Sequence, residues 1–169
     1  MNIKDLITKA DADYPEISGV RGSEKDIEYL SKAYSSCLSE TTAVLQYLFQ
    51  HHIVKDREVA NILQKIAINE MHHHDILAEV IVSLGGVPYY TNGFGGDYTT
   101  KCVYEGKDLL DMLSQNVKDE QGAVEYYEQI KDKLSNPRLR EIIDRIILDE
   151  LVHIETFNKL IEYVTYYKD

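Results

Sequence analysis

Glu70-Met71-His72-His73 returns 80 residues later as Glu150-Leu151-Val152-His153, the same Glu-x-x-His step inside two long stretches of helical periodicity. On a helix, residues three apart lie about one turn apart on one face. Here that face also carries Ile66, Leu77 and Ile81 in the first stretch and Ile146, Phe157 and Ile161 in the second. The same 80-residue shift pairs Glu40 with Glu120, Ala43 with Ala123, Val44 with Val124 and Tyr47 with Tyr127 without a gap. It goes on to pair Ile62 with Ile142, Ile66 with Ile146 and Ile81 with Ile161. An internal repeat of this kind predicts two halves related by a pseudo-twofold axis, with the repeated polar residues at the centre.

Working outward, helical periodicity covers roughly 24–54, 57–84, 106–134 and 137–166. Pro15, Pro88 and Pro137 and most of the glycines stand at the edges of these stretches and mark boundaries. Ser23-Glu24-Lys25-Asp26 reads as an approximate capping box, Asp56 as an N-cap, Gly85-Gly86 as a stop, and Asn136-Pro137 as an N-cap followed by a first-turn proline. Connections of about three residues force the first and second helices, and the third and fourth, into antiparallel hairpins. Between the hairpins lies Gly86 to Glu105, Gly-rich and without a helical pattern. The expected fold is all-α, a four-helix bundle of two antiparallel hairpins joined by one long crossover. Residues 23–169 form the bundle, and residues 1–22 an extension lying on the bundle or on a partner subunit.

At about 100° per residue, Glu40 shares a face with Cys37, Val44 and Tyr47, and Glu120 with Val117, Val124 and Tyr127. Four carboxylates and two imidazoles therefore converge on one core. Buried ionised carboxylates cost several kcal/mol or more each, so the set requires neutralisation. Two divalent cations supply four positive charges, and neutral imidazoles complete the set. Glutamate oxygen with imidazole nitrogen suits iron or manganese, and bridging carboxylates hold two such ions about 4 Å apart. The competing interpretation is ordinary solvated helix surface. One Glu-x-x-His carries little weight against it; two, each preceded by a Glu at a 30-residue offset on the correct face, are specific.

The neighbours leave alternatives open. Tyr47 and Tyr127 are either core aromatics or hydroxyl donors to the ligand carboxylates. Asn69 and Asp149 precede the two glutamates at equivalent positions, and the pseudo-twofold sets Asp149 against His73 and Asn69 against His153 as partners that orient the rings. His72 falls on the solvent side; His51 and His74 lie nearer the core as packed polar residues or part of an entry path. Gly122, inside a helix, marks close packing or a local bulge. Tyr163, Tyr166 and Tyr167 suit packing or a dimer contact.

This arrangement resembles the ferritin-like di-iron and di-manganese carboxylate superfamily over roughly residues 24–166. Leu30-Ser31-Lys32-Ala33, Glu40 with Tyr47, and Glu70-Met71-His72-His73 followed by Leu84-Gly85-Gly86-Val87-Pro88 look most like bacterioferritins and rubrerythrins. The resemblance implies Glu70 and Glu150 as bridging ligands, Glu40 and Glu120 as terminal ones, and His73 and His153 each completing one metal. Met71 is similar to the bacterioferritin methionine that ligates a haem shared across a dimer twofold, so haem is a further expected cofactor. Two departures matter. Ala123 stands where rubrerythrins carry an additional glutamate, and with 16 residues after His153 the expectation is no cage-closing fifth helix, which puts a 24-subunit cage in doubt; the expected assembly is a homodimer.

Composition sets the outer bounds. With 44% hydrophobic and 28% charged residues the chain belongs with ordinary globular proteins, and its 169 residues suit one domain. A net charge of −11 repels nucleic acid. No apolar run reaches the roughly 18 residues that cross a bilayer, and Met1 to Leu6 lacks a secretory apolar stretch, so the expected location is cytoplasmic. Cys37 and Cys102 are the only cysteines, too few for a disulfide framework or a four-cysteine metal site. The resemblance, not the composition, implies the leading expectation, an oxidoreductase whose two ferrous ions reduce oxygen or hydrogen peroxide, ferroxidase-like or peroxide-scavenging, with an external electron donor left unidentified. The alternatives are a di-manganese catalase and a non-catalytic metal-binding dimer.

Overall fold

The computed structural model describes residues 2–167; the outermost positions of the expected extension and bundle, residue 1 and residues 168–169, lie outside the described residues. The helices are α1 (Glu24–Tyr34), α2 (Glu40–Ile53), α3 (Arg57–Ser83), α4 (Leu109–Lys131) and α5 (Pro137–Tyr166), with a short 3-10 turn at Thr100–Cys102. α2 packs on α3 and α4 on α5 as the two hairpins, and α1 continues the first arm of the bundle against α3 and α4. None of the described helices is long and apolar enough to cross a membrane.

Most of the expected punctuation is present as geometry. Ser23 and Asp26 close a full capping box on α1, Asp56 caps α3, and Asn136 caps α5 with Pro137 in its first turn. α3 ends in a Schellman motif: Gly85 takes φ 88°, its N–H donates to Val82 O at 2.9 Å, and the Gly86 N–H donates to Ile81 O at 2.9 Å.

The expected single helix over 24–54 is divided. Residues 35–39, Ser-Ser-Cys-Leu-Ser, leave the helix, because serine side chains offer the backbone competing hydrogen bonds. Thr41 Oγ1 donates to Tyr34 O at 2.7 Å, Thr42 Oγ1 to Ser36 O at 2.7 Å and Ser39 Oγ to Ser36 O at 2.8 Å. These bonds satisfy carbonyls that a continuous helix would have paired. Cys37 is therefore in the break and not on a helix face, and it forms a disulfide with Cys102 across a sequence separation of 65. Two cysteines are too few for a framework, but this one bridge ties the break to the crossover. Ser35 Oγ reinforces the tie by donating to Thr91 O at 2.9 Å.

The apolar core is split in two. One cluster centres on Leu30, Leu77, Ile81, Tyr127, Ile143 and Ile146; the other on Tyr47, Leu63, Ile66, Leu113, Phe157 and Leu160. Ile3 is fully buried in the second cluster. From it, the N-terminal segment runs antiparallel to α5. Ile7 meets Thr156, Thr8 meets His153, Ala10 meets Asp149, Ala12 meets Arg145 and Ser18 meets Arg138. Residues 3–18 thus lie as a strap on their own bundle.

Candidate metal centre

Between the two apolar clusters, α2 places Glu40, α3 places Glu70 and His73, α4 places Glu120, and α5 places Glu150 and His153. All six are at most 3% exposed. They form two overlapping groups, Glu40, Glu70, His73 and Glu150 on one side and Glu70, Glu120, Glu150 and His153 on the other, with the donor atoms of each group within 4.8 Å of one another. Glu70 and Glu150 belong to both.

Each imidazole points Nδ1 inward. His73 Nδ1 lies 3.1 Å from Glu70 Oε2, 3.2 Å from Glu150 Oε1 and 3.5 Å from Glu40 Oε2. His153 Nδ1 lies 2.7 Å from Glu70 Oε1, 3.0 Å from Glu150 Oε2 and 3.6 Å from Glu120 Oε1. Despite its closeness to His153, Glu70 Oε1 accepts no hydrogen bond and is left orphaned in the interior.

The electrostatics separate the carboxylates into two kinds. Glu40 and Glu120 are pushed well above the usual carboxylate range by burial and by the charges of Glu70 and Glu150. Burial also raises Glu70 and Glu150, but His73 and His153 hold both below their ordinary values. Burial disfavours charge on the imidazoles, yet the surrounding carboxylates raise both well above the usual histidine value. The shifts run toward neutrality, His73, His153, Glu40 and Glu120 favouring their protonated forms and Glu70 and Glu150 their ionised ones, a neutralisation that two divalent cations would supply instead. The orphaned Glu70 oxygen and this donor set of oxygen and imidazole nitrogen fit a pair of iron or manganese ions.

The tyrosines are cross-paired. Tyr47 donates to Glu120 Oε1 at 2.6 Å and Tyr127 donates to Glu40 Oε1, so each hairpin supplies the hydroxyl that holds a buried glutamate of the other. Asp149 Oδ2 accepts from His73 Nε2 at 2.9 Å, as the pseudo-twofold predicts. Its counterpart does not follow. Asn69 Nδ2 lies 3.5 Å from His153 Nε2, and donates to Asp149 Oδ2 at 3.0 Å while lying 2.8 Å from His73 Nε2. The His153 Nε2–H instead donates to Thr8 O at 2.9 Å. The reason is local: the strap reaches α5 and offers a carbonyl closer than the amide across the bundle.

Around Asp149 sits a group that sequence reasoning missed. Ala10 N–H donates to Oδ1 at 2.6 Å, Tyr14 OH donates to Oδ2, and Arg145 Nη1 lies 2.7 Å from Oδ1. Arg145 also donates to Ala12 O at 2.8 Å and Ala10 O at 3.2 Å. Burial, then the charge and hydrogen bond of Asp149, push the Tyr14 hydroxyl up to about 12 against the opposing charges of His73 and Arg145. Although burial raises Asp149, bonds from His73, Tyr14, Asn69 and Arg145 hold it below the carboxylate range. Arg145 on the Ile142–Ile146 face was the available signal, since a buried arginine demands partners. A second polar group, Gln46, Gln50 and Asn116, links α2 to α4 through bonds of 2.7–3.0 Å one turn from Glu120.

Other expected residues fall outside the cluster. His72 is exposed and meets Tyr14 edge-on at 4.5 Å. His74 packs on Tyr34 at 4.2 Å, and the His51 ring bonds Ala60 O at 2.7 Å, so both are packed polar residues. Met71 is 42% exposed on the flank of α3, and Tyr166 and Tyr167 are exposed near the end of α5. Gly122 lies in an unbroken helix, and a Cβ there would meet Leu38 Cδ1 at 3.2 Å, which makes it a close-packing position. Leu38, Ala43 and Ala123 line a cavity of about 20 Å³ that reaches all four glutamates, room for about one water.

The model of the ferritin-like domain matches residues 37–165. A probable manganese catalase from Clostridium acetobutylicum is 26% identical in an alignment of 146 residues that covers 74% of this chain and 65% of the relative; the chain thus spans just under two thirds of that protein's length. A bacterioferritin from Brucella melitensis is 28% identical over 142 residues, 80% of this chain and 82% of the relative. Among solved structures, the Desulfovibrio desulfuricans bacterioferritin, described with its di-iron site in different catalytic states, matches with TM-score 0.73 at 26% identity, covering 86% of this chain and 82% of that one. KatB, a manganese catalase from Anabaena PCC7120, has TM-score 0.85 at 19% identity over 97% of this chain and 83% of that one, a likeness of fold. With more than half its length matched by the family model and its four-helix core in place, the chain belongs to the ferritin-like family.

Proposed function

We propose that the chain is a di-metal oxidoreductase that holds two ions, iron in the leading assignment, with Glu70 and Glu150 shared, Glu40 and Glu120 terminal, and His73 and His153 each completing one ion through Nδ1. The observation that carries this is the pair of overlapping buried donor groups with two carboxylates in common. When bound, the pair supplies one-electron steps toward oxygen or hydrogen peroxide. The chain's own part is to hold the carboxylates in register through Tyr47 and Tyr127, to fix the rings through their Nε2 partners, and to admit a molecule of water size beside the shared glutamates.

The second reading, a di-manganese catalase, uses the same ligands and is favoured by the catalase relative at 26% identity. The test is anaerobic loading with Fe(II) and, separately, Mn(II), followed by oxygen or peroxide. Rapid ferric absorption with either oxidant supports the first reading. Oxygen evolution from peroxide with manganese alone supports the second. Two bound ions that stay inert to both oxidants leave a metal-binding protein, and failure to bind two ions removes both catalytic readings. Assembly as a homodimer belongs to the same proposal, as does haem at Met71; sedimentation, and a Soret shift abolished by Met71→Ala, test them.

A further inference from the structure

We propose that the N-terminal strap is part of the metal centre, and that the Thr8 carbonyl is the positioning group for His153, so that strap docking and occupancy of the His153 half are coupled. The inference rests on the two-metal reading above and adds a dependence that the ligand set alone does not require.

The two rings are held differently. His73 donates from Nε2 to Asp149 Oδ2, a buried carboxylate on another helix. His153 donates from Nε2 to Thr8 O at 2.9 Å, a carbonyl on a segment with no helix or strand of its own. A carbonyl can only accept, so this bond keeps the proton on Nε2 and leaves Nδ1 facing Glu70, Glu120 and Glu150. The position of Thr8 O is in turn set by its neighbour: Thr156 Oγ1, one turn beyond His153 on α5, donates to Ile7 O at 2.7 Å, and Thr156 is 2% exposed. Further along, Arg145 and Asp149 take the Ala10 and Ala12 backbone, and Ile3 anchors the other end in the core. The strap is thus pinned on both sides of Thr8. An anionic partner makes a ring a stronger donor than a neutral carbonyl does, so the His73 half fills first; helix residues Asn69 and Arg145 hold its Asp149 partner together with the strap, whereas the His153 ring takes its carbonyl from the strap itself.

Thr156→Val removes one hydroxyl at nearly constant shape, and Thr156→Ser keeps it. Apoprotein is titrated anaerobically with Co(II), following its visible d–d bands and the bound cobalt by equilibrium dialysis. Wild type should take two ions per chain, the first tighter. Thr156→Val should weaken the second by about tenfold or more, the lower end for loss of an outer partner, with the first little changed and the second set of bands altered; Thr156→Ser should restore most of the loss. In unmodified protein, exchange of the Ala10 amide, which bonds the carboxylate beside His73, should slow further when the second equivalent is added, because coupling is reciprocal. Wild type that binds fewer than two ions defeats the two-metal reading itself. Wild type with two ions, a Thr156→Val protein indistinguishable from it, or an Ala10 amide blind to the second equivalent, leaves that reading standing and overturns the strap proposal.

Discussion

The hairpin of α2 and α3 and the hairpin of α4 and α5 are alike inside and unlike outside. Inward, Glu40 matches Glu120, Tyr47 matches Tyr127, and Glu70 with His73 matches Glu150 with His153, down to the exchange of tyrosine hydroxyls between the halves. One layer further out the equivalence ends. Asn69 stands opposite Asp149, and exposed Lys65 opposite buried Arg145. A pair of like charges to be neutralised imposes the same donors on both halves, whereas the layer beyond answers to whatever packs against it, here a strap whose backbone bonds go to α5 and which meets α3 through side chains, as Tyr14 with His72 and Lys4 with Glu58.

The inner equivalence is broken most severely by removing a group that both halves share. Glu150→Ala should lose both ions, not one, with the metal content of purified protein as the measure; retention of a single tight ion would mean that the halves are independent. Acidification should act in the same direction. His73, His153, Glu40 and Glu120 are raised and so favour their protonated forms in the metal-free site, so loading should release protons and weaken as pH falls. Calorimetry in buffers of different ionisation enthalpy counts them, and release near zero would contradict the balance drawn here.

The outer difference is sharpened by comparing Asp149 with Asn69. Asp149→Asn leaves Arg145 buried at 4% exposure without its charge partner, a loss of about 3–5 kcal/mol for a broken buried pair. Asn69→Ala removes one neutral donor and should cost about 1–3 kcal/mol. Denaturant unfolding of the metal-free proteins orders the two, and equal costs would erase the distinction.

Next in size are the rings. His73→Ala and His153→Ala should each slow Fe(II) oxidation by at least about tenfold, while His72→Ala, on the exposed side of α3, should change stability by no more than about 0.5 kcal/mol and leave the metal content intact. Damage from His72→Ala alone would put the register of α3 in error. The smallest effect is expected at Gly122, whose counterpart in the repeat is Thr42. Gly122→Ala brings a Cβ to 3.2 Å from Leu38 Cδ1, and Leu38, 48% exposed, has room to yield. Helix propensity should then add up to about 1 kcal/mol of stability, with slower oxidation where Leu38 shifts into the cavity. A loss of stability would show that Leu38 is fixed.

Much of the molecule was written in local sequence. The 80-residue repeat, the caps at Ser23, Asp56 and Asn136, the stop at Gly85-Gly86 and the Glu-x-x-His faces depend on residues within a few turns of one another, and the backbone obeys such signals almost anywhere. That is why the bundle, its two hairpins and the convergence of six donor residues followed from periodicity. The break at 35–39 was also local, in Ser-Ser-Cys-Leu-Ser, but apolar spacing alone does not reveal hydroxyls that compete for backbone bonds.

What only the tertiary structure decided were meetings between distant segments that carry no shared period: Thr8 with His153 across 145 residues, Ala10 with Asp149 across 139, and Cys37 with Cys102 across 65. The donors of the proposed metal centre repeat because charge neutralisation would require them at fixed turns of a helix. A carbonyl is offered by every residue in the chain, so which one reaches His153 is settled by where the strap comes to rest.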